Sequence, residues 1–241
     1  MIDQLLKNIE YVPPTMLKKI LKGIIWEGTP DSGVCALTFD DGPDPIVTPA
    51  VLDVLGESGS RGTFFMLGEN VRKYPDIALS VAKRGHIIGN HSMTHRTMFL
   101  MNSHEVEQEI DQAQLLIHEV TGITPQWFRP PYGMFGLSCV KVVKKRKMNL
   151  VLWTALSGDY ANPAPLEMIE RVKPFIRPGA ILVFHDTSRD KSSDLPKVLR
   201  IISDIAEEKD IRLGGIDELS LSFEIGIEKS YDSETPRNYP E

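Results

Sequence analysis

Val34-Cys35-Ala36-Leu37-Thr38-Phe39-Asp40-Asp41-Gly42-Pro43-Asp44 is an apolar run that stops in two adjacent carboxylates, a Gly-Pro turn and a third acid. A strand that ends in a turn needs only one Asp or Asn to do so. Neighbouring carboxylates repel, and keeping both ionised calls for a cation or another positive charge between them. Alternation puts Cys35, Leu37 and Phe39 on one face of the run and Ala36, Thr38 and Asp40 on the other. The larger apolar set suits packing against helices, so Asp40 is expected to point into a barrel mouth and Asp41 to lie on the following turn. Further along, His91-Ser92-Met93-Thr94-His95 sets two imidazoles at i and i+4, on one face if the segment makes a helical turn. One acid with two histidines is a ligand set for a divalent ion that leaves positions open for water and substrate. The residues therefore read as the active site of a metal-dependent hydrolase.

Outward from Val34 the chain alternates short β-rich runs with helical stretches. Strands are expected at 34–40, 62–66, 86–89, 126–129, 149–154 and 180–185, with a weaker one at 211–213. Helices are expected at about 49–57, 71–83, 105–118 (capped by Ser103), 138–147, 166–175 and 195–207. Repeated strand–helix units imply parallel strands with helices outside. Seven or so of them in 241 residues favour an α/β barrel over an open sheet. Asp40 and Asp41, His91 and His95, 129–132, Asp159 and His185 all fall at or just beyond the C-terminal ends of these strands, the edge where such folds build active sites.

Composition narrows the possibilities. Apolar content of 41% and charged content of 25% suit a globular chain with a full core. A net charge of −6 argues against a nucleic-acid partner. Cys35 and Cys139 are too few for a disulfide framework. Residues 1–25 lack the features of a secretory leader and no apolar run approaches the length of a membrane span, so a cytoplasmic location is expected, the alternative being a mature form with its leader removed. Three segments are expected: an N-terminal helical extension over 1–30, a barrel domain over 31–227 and a polar, loosely ordered tail over 228–241. In the extension Leu17, Ile20, Leu21, Ile24 and Ile25 line a helical stripe opposite Lys18, Lys19 and Lys22. The stripe suits a helix packed across the barrel; the alternative is contact with a membrane surface.

Three further segments carry chemistry. Arg129-Pro130-Pro131-Tyr132-Gly133 is stiffened by its prolines, so a backbone N–H such as that of Tyr132 can face a developing oxyanion without reorganising. Arg129 can hold a carboxylate bidentately. His185 follows the apolar run 180–184 and stands beside Asp186, a setting for proton transfer near neutral pH. Asp159-Tyr160 closes the fifth strand region, where the acid can orient Arg129 or His185. Asp44 reads equally well as a helix cap, and His86, His104 and His118 belong to no constellation.

Taken together these residues resemble the polysaccharide deacetylase family, also called carbohydrate esterase family four or the NodB-homology domain. The resemblance runs from about Val34 to Leu219 and covers five motif regions in order. Thr38-Phe39-Asp40-Asp41, His91-Ser92-x-x-His95 and Arg129-Pro130-Pro131-Tyr132 match closely; Tyr160 stands where the family often has Trp, Leu156 where an acid is frequent and Val183 where Leu is frequent. The resemblance implies a distorted (β/α)7–8 barrel that removes N-acetyl or O-acetyl groups from sugars. It implies that Asp41, His91 and His95 hold one divalent ion, zinc first and cobalt, nickel, manganese or iron as options. Asp40 is then the general base, His185 the general acid, the Tyr132 N–H an oxyanion donor, and Arg129 and Asp159 tune base and acid. The partner implied is an acetylated carbohydrate; a lipid-linked sugar at a membrane surface is the alternative. A non-haem iron oxygenase shares the two-histidine, one-acid pattern, and an inactive carbohydrate-binding barrel is the remaining rival.

Overall fold

In a computed structural model of the chain, residues 23–188 and 194–221 are described. The strands are β1 (Val34–Asp40), β2 (Thr63–Met66), β3 (Ile87–Asn90), β4 (Trp127–Phe128), β5 (Asn149–Leu150), β6 (Ala155–Leu156), β7 (Ile181–His185) and β8 (Arg212–Gly214). The helices are α1 (Val47–Glu57), α2 (Gly68–Lys73), α3 (Pro75–Lys83), α4 (Ser103–Thr121), α5 (Leu137–Lys145), α6 (Pro165–Val172) and α7 (Leu195–Glu208). The sheet runs β5-β4-β3-β2-β1-β7-β6, and β8 adds to β1. Every pairing is parallel, as strand–helix repeats require. β1 is the hub: Thr38–Asp40 pairs with β2, Ala36–Asp40 with β7 and Val34–Ala36 with β8.

The alternation read along β1 sorts its side chains between two apolar layers. Cys35, Leu37 and Phe39 join Phe64, Leu182 and Phe184 under the helices, with the Phe39 and Phe64 rings stacked at 4.8 Å. Val34 and Ala36 belong to the smaller cluster with Phe65, Ile181 and Ile216 that fills the interior. The edge strands β5 and β6 are consecutive in the chain, joined by residues 151–154. At this seam Ile25 bridges Val151: its N–H donates to Leu150 O and its carbonyl accepts from Leu152 N. The result is the curled, distorted α/β barrel that the sequence implies.

Several local readings change. Leu17, Ile20 and Leu21 lie outside the described residues, as does the tail over 228–241, whereas Ile24 and Ile25 are not helical. The backbone groups of Ile25 are taken by the seam, a use that overrides helical spacing. The helix expected over 71–83 is two helices, because Pro75 has no N–H to continue the ladder and starts α3 afresh. α4 is capped by Asn102 rather than Ser103: Asn102 Oδ1 accepts from His104 and Glu105 N–H, and Glu105 accepts from Asn102 N–H. The fifth strand is broken into β5 and β6, and the helix expected to reach 175 ends as a short 3-10 turn over Lys173–Phe175, which contains Pro174.

Candidate active site

Asp41, His91 and His95 come together although they leave two different strands. Asp41 sits just past β1 with a left-handed φ of 72°, which swings its carboxylate back over the strand end; Asn70 Nδ2 donates to its carbonyl at 2.7 Å. His91 follows β3, and its Nδ1 lies 2.7 Å from Arg129 O. A carbonyl only accepts, so Nδ1 carries the proton and Nε2 presents a lone pair. That Nε2 faces Asp41 Oδ1 at 3.4 Å, and His95 Nε2 faces the same oxygen at 3.0 Å. Burial alone would raise the Asp41 carboxyl; where a proton rather than a cation lies between the groups, hydrogen bonds from the two imidazoles hold it well below the usual carboxylate range.

The histidines do not share a helical turn. Ser92 and His95 both have positive φ, 75° and 61°, and the segment is a looped bend. Its N–H groups go to side chains instead of a helix ladder. Ser92 N–H donates to Asn90 Oδ1, Met93 and Thr94 N–H to Glu109 Oε2, and His95 N–H to Ser92 Oγ. Glu109 Oε1 also accepts the Thr94 hydroxyl at 2.6 Å. This loop leaves the two rings 5.2 Å apart and tilted by 48°.

The three donors fit a divalent cation. One ligand atom from each lies within 4.8 Å of the others, and among the described residues this is the group with metal-ligand chemistry. Two imidazole nitrogens and one carboxylate oxygen suit zinc and equally iron, cobalt, nickel or manganese. A bare His91 Nε2 lone pair turned towards a carboxylate oxygen is repulsive unless a cation or proton lies between them.

Beside this group stands the second acid. Asp40 is buried, and its Oδ1 accepts from Arg129 Nη1 at 2.7 Å. Arg129 is fully buried over the Phe65 ring at 4.1 Å; Nη1 also donates to Thr38 Oγ1 and Nη2 to Leu152 O. The grip on Asp40 is therefore through one nitrogen and not bidentate, because the other end of the guanidinium is spent on the backbone. Burial lowers the Arg129 pKa and Asp40 partly restores it. β7 is in register with β1 such that His185 is the neighbour of Asp40. Asp159 holds His185 twice, Oδ1 at 2.7 Å from Nδ1 and Oδ2 at 2.6 Å from the backbone N. Burial works against the charged ring, but the Asp159 carboxylate outweighs it and lifts the pKa to about 9.

Tyr132 takes φ 59° in the turn after β4; the residue is 60% exposed and its ring lies 4.5 Å from the His95 ring. Gly133 also has positive φ, and a Cβ there would strike the Trp153 ring, so the turn needs glycine at this point. Tyr160 meets the His185 ring edge-on at 5.7 Å. Asp44 is a clasp rather than a site acid: Oδ1 accepts from Ile46 and Val47 N–H at the start of α1, and Oδ2 accepts from Ser188. Thr38 and Glu109 were not singled out by sequence. For Glu109 a signal was present, since a carboxylate at a position in line with Val106, Ile110, Ala113 and Ile117 is buried and must serve a partner.

The chain matches the family model described as polysaccharide deacetylase over residues 27–151, which takes in the acid pair, both histidines and Arg129. The chain belongs to the polysaccharide deacetylase family. Among curated relatives, a peptidoglycan-N-acetylglucosamine deacetylase of Bacillus cereus is 32% identical over 187 residues, 77% of this chain and 87% of the relative. A second protein of that name and organism is 34% identical over 152 residues, 63% of this chain, but the match spans only 55% of its length. The crystal structure of the Bc1960 peptidoglycan N-acetylglucosamine deacetylase in complex with an N-oxidanyl-benzamide overlays with a TM-score of 0.80 at 27% identity, covering 88% of this chain and 99% of the other. A carbohydrate esterase family 4 pseudoenzyme from Bacillus anthracis overlays at 0.76 and 28% identity, covering 86% and 72%. Polysaccharide deacetylase folds thus include a pseudoenzyme, and activity in this chain turns on its own residues. No helix among the described residues is long and apolar enough to cross a membrane.

Proposed function

We propose that this polysaccharide deacetylase is a metal-dependent hydrolase that removes N-acetyl groups from an amino-sugar polymer or oligomer of the peptidoglycan or chitin type. The observation that carries the reading is the convergence at one barrel mouth of three groups. These are the Asp41–His91–His95 set, the Asp40–Arg129 pair and the His185–Asp159 pair. A facial-triad oxygenase needs only the first of the three.

Asp41, His91 and His95 would hold the ion, which supplies Lewis acidity to the acyl carbonyl and lowers the pKa of water at the site. Arg129 fixes Asp40 through Oδ1, which leaves Oδ2 to take a proton from the attacking water. Asp159 keeps His185 protonated and its Nδ1 engaged, so Nε2 is the atom that delivers a proton to the leaving nitrogen. The rigid turn at Tyr132 offers its N–H to the developing oxyanion, a contribution of about a hundred- to thousand-fold where such donors have been removed. The amide C–N bond breaks, acetate departs, and the amino sugar keeps the proton from His185. Tyr132, beside His95, and Tyr160, beside His185, stand exposed and offer ring faces to sugar.

Acetate release from a panel of N-acetylated glucosamine oligomers and peptidoglycan fragments, with added divalent ions, tests the reading. Release that disappears in Asp40→Asn and in Asp41→Ala supports it. Release that persists in both, or none from the parent on any member, removes it.

A further inference from the structure

Behind the proposed catalytic groups lies a carboxyl that the mechanism does not use. Asp186 follows His185 directly and is 1% exposed. Its N–H donates to Asp40 O at 3.1 Å. Its Oδ2 lies 2.6 Å from Thr48 Oγ1, and that hydroxyl accepts from Asp44 N–H at 2.8 Å. Its Oδ1 is buried with no hydrogen-bond partner among the described residues. A Cβ built on Gly42 would come within 2.3 to 2.6 Å of three atoms of this carboxyl and of nothing nearer, so the group rests against the bare Cα next to Asp41.

A buried oxygen left unpaired is destabilising, so the side chain is a poor choice for stability alone. The two loops are already tied without it, by Asp186 N–H to Asp40 O and by the Ser188 donors to Asp44. What the carboxyl adds is thickness at one point, between the turn that carries Asp40 and Asp41 and the strand end that carries His185.

We infer that Asp186 is a positioning residue for the proposed deacetylation: its side chain, seated on Gly42, sets the gap between the Asp40–Asp41 turn and His185. The inference rests on the proposed function. Burial, with Asp41 and Asp40 nearby, holds the carboxyl well above the usual range, although the Thr48 hydroxyl donates to its Oδ2 and works the other way.

A double-mutant cycle tests it, read by acetate release and by Co2+ affinity of the metal-free protein. Asp186→Asn, neutral and of the same shape, keeps kcat within roughly threefold, the scale of one altered hydrogen bond. Asp186→Ala lowers kcat by about tenfold or more with KM little changed, as expected when reacting groups shift by a fraction of an ångström. Gly42→Ala lowers kcat and weakens Co2+ binding, because its methyl meets the carboxyl. The double variant G42A/D186A is no worse than D186A, since the group the methyl would strike is gone. Full kcat in D186A, equal damage in D186A and D186N, or losses that simply multiply in the double variant each overturn the inference. If alanine at 186 prevents folding, Asp186→Ser takes its place in the cycle. If the parent releases no acetate, the proposed function has failed, and the coupling between positions 42 and 186 is still decided by Co2+ affinity.

Discussion

Replacing Arg129 by Met removes the buried cation that donates a hydrogen bond to Asp40. The arginine has no exposed surface, and four links end with it: Nη1 to Asp40 Oδ1, Nη1 to Thr38 Oγ1, Nη2 to Leu152 O and the stack on Phe65. Methionine fills much of the volume but leaves Asp40, 4% exposed, as a buried acid without its hydrogen-bonded ion-pair partner. Breaking a buried pair from one side costs about 3–5 kcal/mol, well above the median surface ion pair at under about 1 kcal/mol. For a domain of this size that is on the order of 10 °C in melting temperature. Asp40→Asn should cost less, because the amide oxygen still accepts from Nη1. The double variant D40N/R129M should be less destabilised than the sum of the single changes by about 1–3 kcal/mol, since the uncompensated charge has been removed. Urea unfolding followed by circular dichroism measures all three. An R129M protein within 1 kcal/mol of the parent, or strictly additive losses, would refute the claim that the pair is coupled and buried.

Other outcomes follow from the same geometry. With the His185 pKa raised to about 9 by Asp159 against the pull of burial, turnover should fall as pH rises through about 9; Asp159→Asn should move that limb to lower pH, read from kcat against pH. His86 is buried, accepts from Gly62 N–H and stands edge-on to Phe64; burial, then Arg61 and Arg84, lowers its pKa to about 4. A depressed histidine stabilises the fold fully above its unfolded value of about 6.5, and that stability is lost as pH falls through about 4. His86→Phe should flatten the urea midpoint across that window. Glu109→Gln keeps the shape of the histidine loop's anchor but loses the charge behind three hydrogen bonds; Zn2+ affinity by competition with a chelator dye should weaken about ten- to hundred-fold, the scale seen when groups orienting metal ligands are removed.

How much of this was legible depends on how local each cause is. The acid pair at the end of an apolar run and the face on which Asp40 lies follow from alternation along one strand, and the register of β1 with β7 turned that into the Asp40–His185 neighbourhood. Strand–helix repeats gave parallel pairing because a crossover connection admits little else. Helix ends were less readable: Asn102 and Ser103 are both good caps, and only the reach of Glu105 back to Asn102 N–H chose between them.

The chain by itself determined its inventory of reactive groups, their placement at strand ends and the barrel they line, because periodicity and turn chemistry act over a few residues. Tertiary structure alone decided that His91 and His95 converge through a looped bend held by Glu109, that Arg129 spends one nitrogen on Asp40 and another on Leu152 O, and that Ile25 seals the seam beside β5. Those outcomes depend on contacts between segments far apart in sequence, where a buried donor or charge takes whichever partner the packed fold brings within reach.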